Sequence, residues 1–209
     1  MTQVKICGLT REKDVALACH LGASWVGFNF AERSPRRIGL DRARSLASEV
    51  PPGVGRVGVF VSESLDDIRG AVEAASLDAV QVHRALRASD VDEIPRPVFA
   101  VVRVTAAPLD LPPADSLGRC RAVLFDAATA SANGGTGTVF DWSLLDGGSW
   151  PVPFFLAGGL TPENVSDAVA RLHPDGVDVA SGVESAPGIK DRDRMLRFFD
   201  AVRRADERA

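Results

Sequence analysis

The chain has 209 residues, 45% of them hydrophobic, with 24 Lys and Arg against 28 Asp and Glu and a net charge of −4. That length buries a full apolar core without metals or disulfides, so one catalytic domain over residues 1–209 is expected. The basic residues are scattered and not massed into a stripe, which argues against nucleic acid and membrane surfaces as partners. Three cysteines without paired Cys or His spacing give neither a disulfide framework nor a metal cluster, and no signal-peptide stretch opens the chain. The expected compartment is the reducing cytoplasm.

In chain order one alternation repeats: a short run rich in Val, Ile, Phe or Ala, a turn marked by Gly, Ser, Asp or Pro, then a helical stretch. Eight such runs stand out, at Val4–Cys7, Trp25–Phe30, Val57–Val61, Ala79–His83, Val98–Val104, Ala122–Asp126, Phe154–Gly158 and Val177–Ala180. They recur roughly every 20 to 30 residues, the spacing that a strand, a helix and two short loops require. Between them, Asp14–Leu21 and Ala168–Leu172 have helical periodicity, with Pro162, Asn164 and Ser166 as start signals for the second. The fifth helix is the weak unit, because Pro112-Pro113-Ala114-Asp115-Ser116-Leu117 is short and opens on two prolines. The last, roughly Asp191 to Arg204, puts Met195, Phe198, Phe199 and Val202 on one face and reads as a surface helix packed on a sheet.

Even spacing of eight strands predicts an α/β fold closed as a single (β/α)8 TIM barrel over an open doubly wound sheet, and no Gly-x-Gly-x-x-Gly follows the first strand. In a barrel the carboxyl ends of all strands meet at one face, where catalysis is built. Those ends are polar in a way that core packing does not ask for: Cys7 after the first strand, Ser34-Pro35-Arg36-Arg37 after the second, His83 after the fourth and Asp126 after the sixth. Strands seven and eight run into Gly158-Gly159 and Ser181-Gly182, where backbone amides can approach an anion, so a phosphorylated small molecule is the natural ligand.

Several segments occur together and in order: Lys5-Ile6-Cys7-Gly8, Gly27-Phe28-Asn29-Phe30, Ser34 to Arg36, Val57-Gly58-Val59-Phe60, Val80-Gln81-Val82-His83 and Leu124-Phe125-Asp126. Gly134-Gly135-Thr136-Gly137, Phe140-Asp141-Trp142, Ala157-Gly158-Gly159-Leu160 and the stretch from Asp178 through Pro187-Gly188 to Lys190-Asp191 follow. With these segments the chain resembles the phosphoribosylanthranilate isomerases of tryptophan biosynthesis, over residues 4 to about 195. It departs from them in carrying Arg84 after the strand-four histidine, no lysine on strand five, and Ala180 in place of the first serine of a pair.

The resemblance implies an Amadori rearrangement of a phosphoribosylated anthranilate, with Asp126 as general acid, Cys7 as general base and no cofactor or metal. It implies further that Arg36 holds the anthranilate carboxylate, that His83 and Asp178 line the sugar pocket, and that Gly158, Gly159, Ser181 and Gly182 bind the phosphate. The expected partner is a small phosphosugar and the expected assembly a monomer or homodimer. An indole-forming barrel would carry lysine and glutamate pairs at its strand ends, and a histidine-pathway isomerase paired aspartates. Chemically, burial would raise Asp126 toward a useful acid, whereas Cys7 needs a cation, and strict alternation turns Lys5 to the same face. The small-residued segment from Ala127 to Thr138 reads as a loop covering the site.

Overall fold

A computed structural model of the chain describes residues 1–105, 108–127 and 139–208. Eight strands, β1 (Gln3–Ile6), β2 (Trp25–Asn29), β3 (Gly55–Phe60), β4 (Ala79–Val82), β5 (Val98–Val104), β6 (Ala122–Ala127), β7 (Phe154–Leu156) and β8 (Gly176–Val179), close in chain order into one parallel barrel. The barrel seam pairs β8 with β1, Lys5 opposite Asp178 and Ile6 opposite Val179. Outside the barrel run α1 (Glu12–Leu21), α2 (Leu40–Ser48), α3 (Leu65–Ala74), α4 (Ala88–Glu93), α5 (Ala114–Leu117), α6 (Val165–Leu172) and α7 (Arg192–Asp206). The expected TIM barrel is therefore the observed one, and α5, at four residues, is as slight as its two prolines suggest.

Two elements differ from the sequence expectation. Between β6 and β7 the described residues hold a 3₁₀ turn, Trp142–Leu145, and no α-helix, so eight strand–helix units reduce to seven α-helices among the described residues. Asp141 caps that turn through Ser143 N–H, and Gly147, at φ 68°, ends it one residue after its cap, before Pro151 can allow a longer helix. The second difference is a hairpin, β9 (Glu184–Ala186) against β10 (Ile189–Lys190), which is not among the eight strand-like runs read from the sequence. Pro187-Gly188 makes its turn, with Gly188 at φ 76°.

The core has two parts because every strand has two faces. Outward side chains pack with the helices, and α7 contributes Met195, Phe198, Phe199 and Val202 as its periodicity predicts. Inward side chains fill the lower barrel with Val57, Ala79, Phe99, Ala122, Leu124, Phe155 and Ala157. Trp25 and Phe155 both meet Phe99 edge-on, with ring centroids 5.2 and 5.3 Å apart, so the barrel stands on an aromatic floor.

Candidate active site

Following each inward row upward, the chemistry changes from apolar to polar. On β5 the row is Phe99, Val101, Arg103; on β6 it is Ala122, Leu124, Asp126; on β4 it is Ala79 and Gln81, with His83 just beyond. On β1 Lys5 is inward and Cys7 follows at the next inward position. Strand register alone therefore gathers Cys7, His83, Arg103 and Asp126 at the carboxyl-end mouth.

Lys5 is completely buried and donates to Asp178 Oδ1 at 2.8 Å across the β1–β8 seam. Burial opposes the ammonium charge, yet Asp178 and Cys7 outweigh it and hold Lys5 above its ordinary value. Above this pair lies Cys7, whose N–H donates to Val179 O at 2.9 Å and whose carbonyl accepts from Lys190 Nζ at 2.6 Å. A Cβ on Gly27 would come within 2.9 Å of Cys7 Sγ, so only glycine on β2 leaves the thiol its place. Burial pushes the Cys7 thiol up, and the cations Lys5 and Lys190 offset that only in part.

Across the mouth Asp126 is raised to about 6, first by burial and then by the Asp178 charge, against Arg103 and Lys5. Arg103 stands beside Asp126 in the β5–β6 register and makes no ion pair among the described residues. Burial, with Arg103 and Lys5 adding to it, lowers His83 to about 4, so its imidazole is neutral. The Gln81 amide lies 2.9 Å from His83 Nε2. Arg84, the departure beside it, turns away to Asp90 on α4 at 3.8 Å.

Arg36 is buried and bound bidentately by Glu184, Nε to Oε1 at 2.9 Å and Nη2 to Oε2 at 2.7 Å. Its stem lies over Gly8, where a Cβ would fall 2.4 Å from Cδ, and Gly8 takes φ 72°. Lys190 is buried too, its Nζ donating to Cys7 O, to Ala180 O at 3.0 Å and to Glu184 Oε1 at 2.9 Å. Burial favours a protonated Glu184, but Arg36 and Lys190 outweigh it and keep the carboxyl below its ordinary value.

The loops after β7 and β8 touch, since a Cβ on Gly182 would lie 1.8 Å from Leu160 O. Gly158 and Gly159 take φ 78° and 69°, a left-handed pair that turns the β7 loop. Ser181 and Gly182 head the 3₁₀ turn Ser181–Val183, so their N–H groups have no partner within it. Asn164, read from sequence as a start signal for α6, stands at the N-cap of that helix, and its side chain ties the loop: Thr161 N–H donates to its Oδ1 at 2.8 Å, and its Nδ2 donates to Gly159 O at 3.0 Å. It makes no side-chain cap to the helix.

The sequence and the fold have counterparts among known proteins. The family model described as N-(5'phosphoribosyl)anthranilate (PRA) isomerase matches residues 4–201. The chain belongs to this family. The N-(5'-phosphoribosyl)anthranilate isomerase of Dechloromonas aromatica is 43% identical over 99% of this chain and 98% of its own. The crystal structure of phosphoribosyl anthranilate isomerase from Thermotoga maritima is 36% identical with a TM-score of 0.86, covering 97% of this chain and 99% of that one. A further isomerase structure, 34% identical with a TM-score of 0.81 over 97% of this chain and 99% of that one, is a complex with reduced 1-(o-carboxyphenylamino)-1-deoxyribulose 5-phosphate.

Against this isomerase frame, Cys7, His83, Asp126 and Asp178 share the mouth, Arg36 sits beside Gly8 at its rim, and the Gly158-Gly159 and Ser181-Gly182 loops meet above β7 and β8. Residues 128–138 of the expected covering loop lie outside the described residues. Cys19, His20, Cys120 and His173 stay with the helices and their flanks; Cys120 Sγ donates to Ser116 O at 3.3 Å and His173 ends α6 at φ 47°. Sequence reasoning missed Glu184 and Lys190, although both lie in the segment that carries the resemblance. Their carboxylate and ammonium flank a Pro-Gly turn, the one local sign of a hairpin that could turn both inward.

Lys5→Met leaves the Asp178 carboxylate buried without its cation, and such a loss costs about 3–5 kcal/mol. Urea denaturation checks it, with Lys5→Met/Asp178→Asn expected to recover part of the loss. A single variant within about 0.5 kcal/mol of the wild type, the spread of an ordinary surface change, would show that the pair does not hold the seam.

Proposed function

We propose that Cys7 and Asp126 carry the family's reaction in this chain, converting N-(5'-phosphoribosyl)anthranilate into 1-(2-carboxyphenylamino)-1-deoxyribulose 5-phosphate. As a member of the family the chain is an aldose–ketose isomerase. Asp126 protonates the furanose oxygen as the ring opens, and Cys7 then takes the proton from carbon 2 of the Schiff base. One observation carries this reading: the two groups belong to one mouth in which Lys5 and Asp178 lie within electrostatic reach of both. Arg36 receives the anthranilate carboxylate on its free guanidinium edge, a planar fork suited to that partner. Neutral His83 and the second oxygen of Asp178 contact the sugar hydroxyls. The amides of Gly158, Gly159, Ser181 and Gly182 bind the phosphate where the two loops meet.

Proton transfer of this kind asks for no cofactor. The chain works as one cytoplasmic domain, monomeric or homodimeric, and no helix among the described residues is long and apolar enough to cross a membrane.

The resting protonation is the reverse of the reactive one. At neutral pH Asp126, raised to about 6, is mostly ionised, while Cys7, pushed above its ordinary value, is mostly a thiol. The form with Asp126 protonated and Cys7 ionised is a minor one, but its share stays constant between the two pKa values. Below the lower pKa the thiolate becomes rarer, and above the upper one the carboxylic acid does. The expected kcat/KM profile is flat from about pH 6 to beyond the ordinary thiol range and falls on both sides. Thiolate absorbance, taken as wild type minus Cys7→Ser, should develop at the upper limb; its appearance below about pH 8, under the ordinary thiol value, would refute the upward shift of Cys7, and only below about pH 6 would it reverse the order of the two groups.

Cys7→Ser and Asp126→Asn each remove a proton-transfer group and little volume, so each should lower kcat by about 10²- to 10⁴-fold with the fold intact by circular dichroism. Near-wild-type turnover in either variant would reject the role of that residue. For the phosphate, crystals soaked in inorganic phosphate should hold the anion between Gly159 and Ser181-Gly182. An anion bound elsewhere at the mouth would refute this assignment. Gly182 itself is a poor mutational probe, because any side chain there strikes the Leu160 carbonyl.

A further inference from the structure

Arg36 has five N–H donors, and Glu184 occupies one edge of the guanidinium by accepting from Nε at 2.9 and 3.1 Å and from Nη2 at 2.7 Å. The end fork formed by Nη1 and the second Nη2 hydrogen is left, and no hydrogen bond from Nη1 occurs among the described residues. A carboxylate binds such a fork side-on through two parallel bonds, so the direction of the fork fixes where a ligand carboxylate can sit. That direction is set twice over. The stem of Arg36 rests on Gly8, where no side chain could be accommodated, and the head is clamped by Glu184.

Glu184 is itself immobilised. Its Oε1 also accepts from Lys190 Nζ at 2.9 Å and from Gly188 N–H at 3.2 Å, both from the β9–β10 hairpin. All three Lys190 hydrogens are taken, by Glu184, Cys7 O and Ala180 O, so Lys190 has no donor to offer a ligand. Its charge still matters. Arg36 and Lys190 against Glu184 leave the buried group one positive charge in excess, which one ligand carboxylate would neutralise. Glu184 accepts from three partners and faces a cation on either side, which suits a fixed acceptor and not a proton carrier.

We propose that Glu184, backed by Lys190, is the positioning residue that aims the free edge of Arg36, and that this clamp sets selectivity for an aromatic amine carrying an ortho carboxylate over one lacking it. The inference rests on the reading of Arg36 as the carboxylate-binding residue. Glu184 touches no substrate atom and acts through Arg36 alone.

Two probes separate the possibilities: reduced 1-(o-carboxyphenylamino)-1-deoxyribulose 5-phosphate and the same compound with an unsubstituted phenyl ring. The preference of the wild type for the carboxylated probe, measured as a ratio of inhibition constants, is the readout. Glu184→Asp keeps the charge and shortens the reach by one methylene, so charge attraction alone predicts no change. A positioning role predicts a loss of about 10-fold in the ratio, or ~1.4 kcal/mol, with the phenyl probe unaffected. Glu184→Gln adds a further net positive charge, which by attraction would tighten binding of the carboxylated probe; the clamp predicts weaker binding. On an Arg36→Met background, neither change should alter the ratio further. For the natural substrate, KM should rise more than kcat falls.

Equal weakening of both probes by Glu184→Asp would mark a merely structural role and overturn the inference. So would a wild-type ratio in Glu184→Asp while Arg36→Met loses it, and then the Arg36 reading survives. If Arg36→Met keeps the wild-type ratio, the reading of Arg36 fails and the clamp falls with it.

Discussion

An ammonium and a carboxylate in a sealed β-barrel are the constraint around which this molecule is arranged. Lys5 and Asp178 face each other across the seam that closes the barrel, Lys5 wholly buried and Asp178 nearly so. Neither charge could remain there alone, because desolvating an unpaired ion costs several kcal/mol. The pair therefore ties closure of the barrel to the electrostatics of the mouth. Strand register places it directly beneath Cys7, and the same two charges reach Asp126 from the other side.

Burial acts on Cys7 and Asp126, the two groups proposed to move protons, in one direction, favouring the neutral form of each. For Asp126 in its proposed role that is helpful, since an acid must hold its proton until the ring oxygen takes it. For Cys7 it is a hindrance, relieved in part by Lys5 and Lys190. A more exposed thiol would ionise more readily, but it would also be open to oxidation. The apolar lower barrel, with Trp25, Phe99 and Phe155 packed edge-on, contributes the burial free energy that offsets a polar upper layer.

Much of this was legible in the sequence because barrel geometry is periodic. Strands read as apolar runs, their order fixes neighbours, and alternation then carries Cys7, His83 and Asp126 to one face from local pattern alone. Lys5 was legible on the same ground, as a residue sharing the parity of Cys7. What escaped depends on contacts distant in sequence. Nothing near Arg36 announces that its partner is Glu184, 148 positions away. The hairpin that delivers Glu184 and Lys190 is too short for a strand pattern, and the 3₁₀ turn between β6 and β7 is set by Gly147 and Pro151, not by any failing of the apolar pattern before it. The side-chain partners of Asn164, which does head α6 as its N-cap, escaped for a related reason, since its carboxamide has two possible sets of backbone partners and tertiary structure selects the loop.

The hairpin after β8 deserves weight equal to that of the strands, because it joins parts of the site that the barrel alone leaves separate. Glu184 follows directly on the turn that presents Ser181 and Gly182 N–H groups, and it grips Arg36 from the far side of β1. Lys190 returns from the second hairpin strand to hold Cys7 O and Ala180 O together at the ends of neighbouring strands. A shift of the hairpin would thus move the loop amides, the Arg36 fork and the Cys7 backbone together. The barrel supplies directions for the side chains, and this short appendage fixes the distances between the groups that would hold the two ends of one ligand.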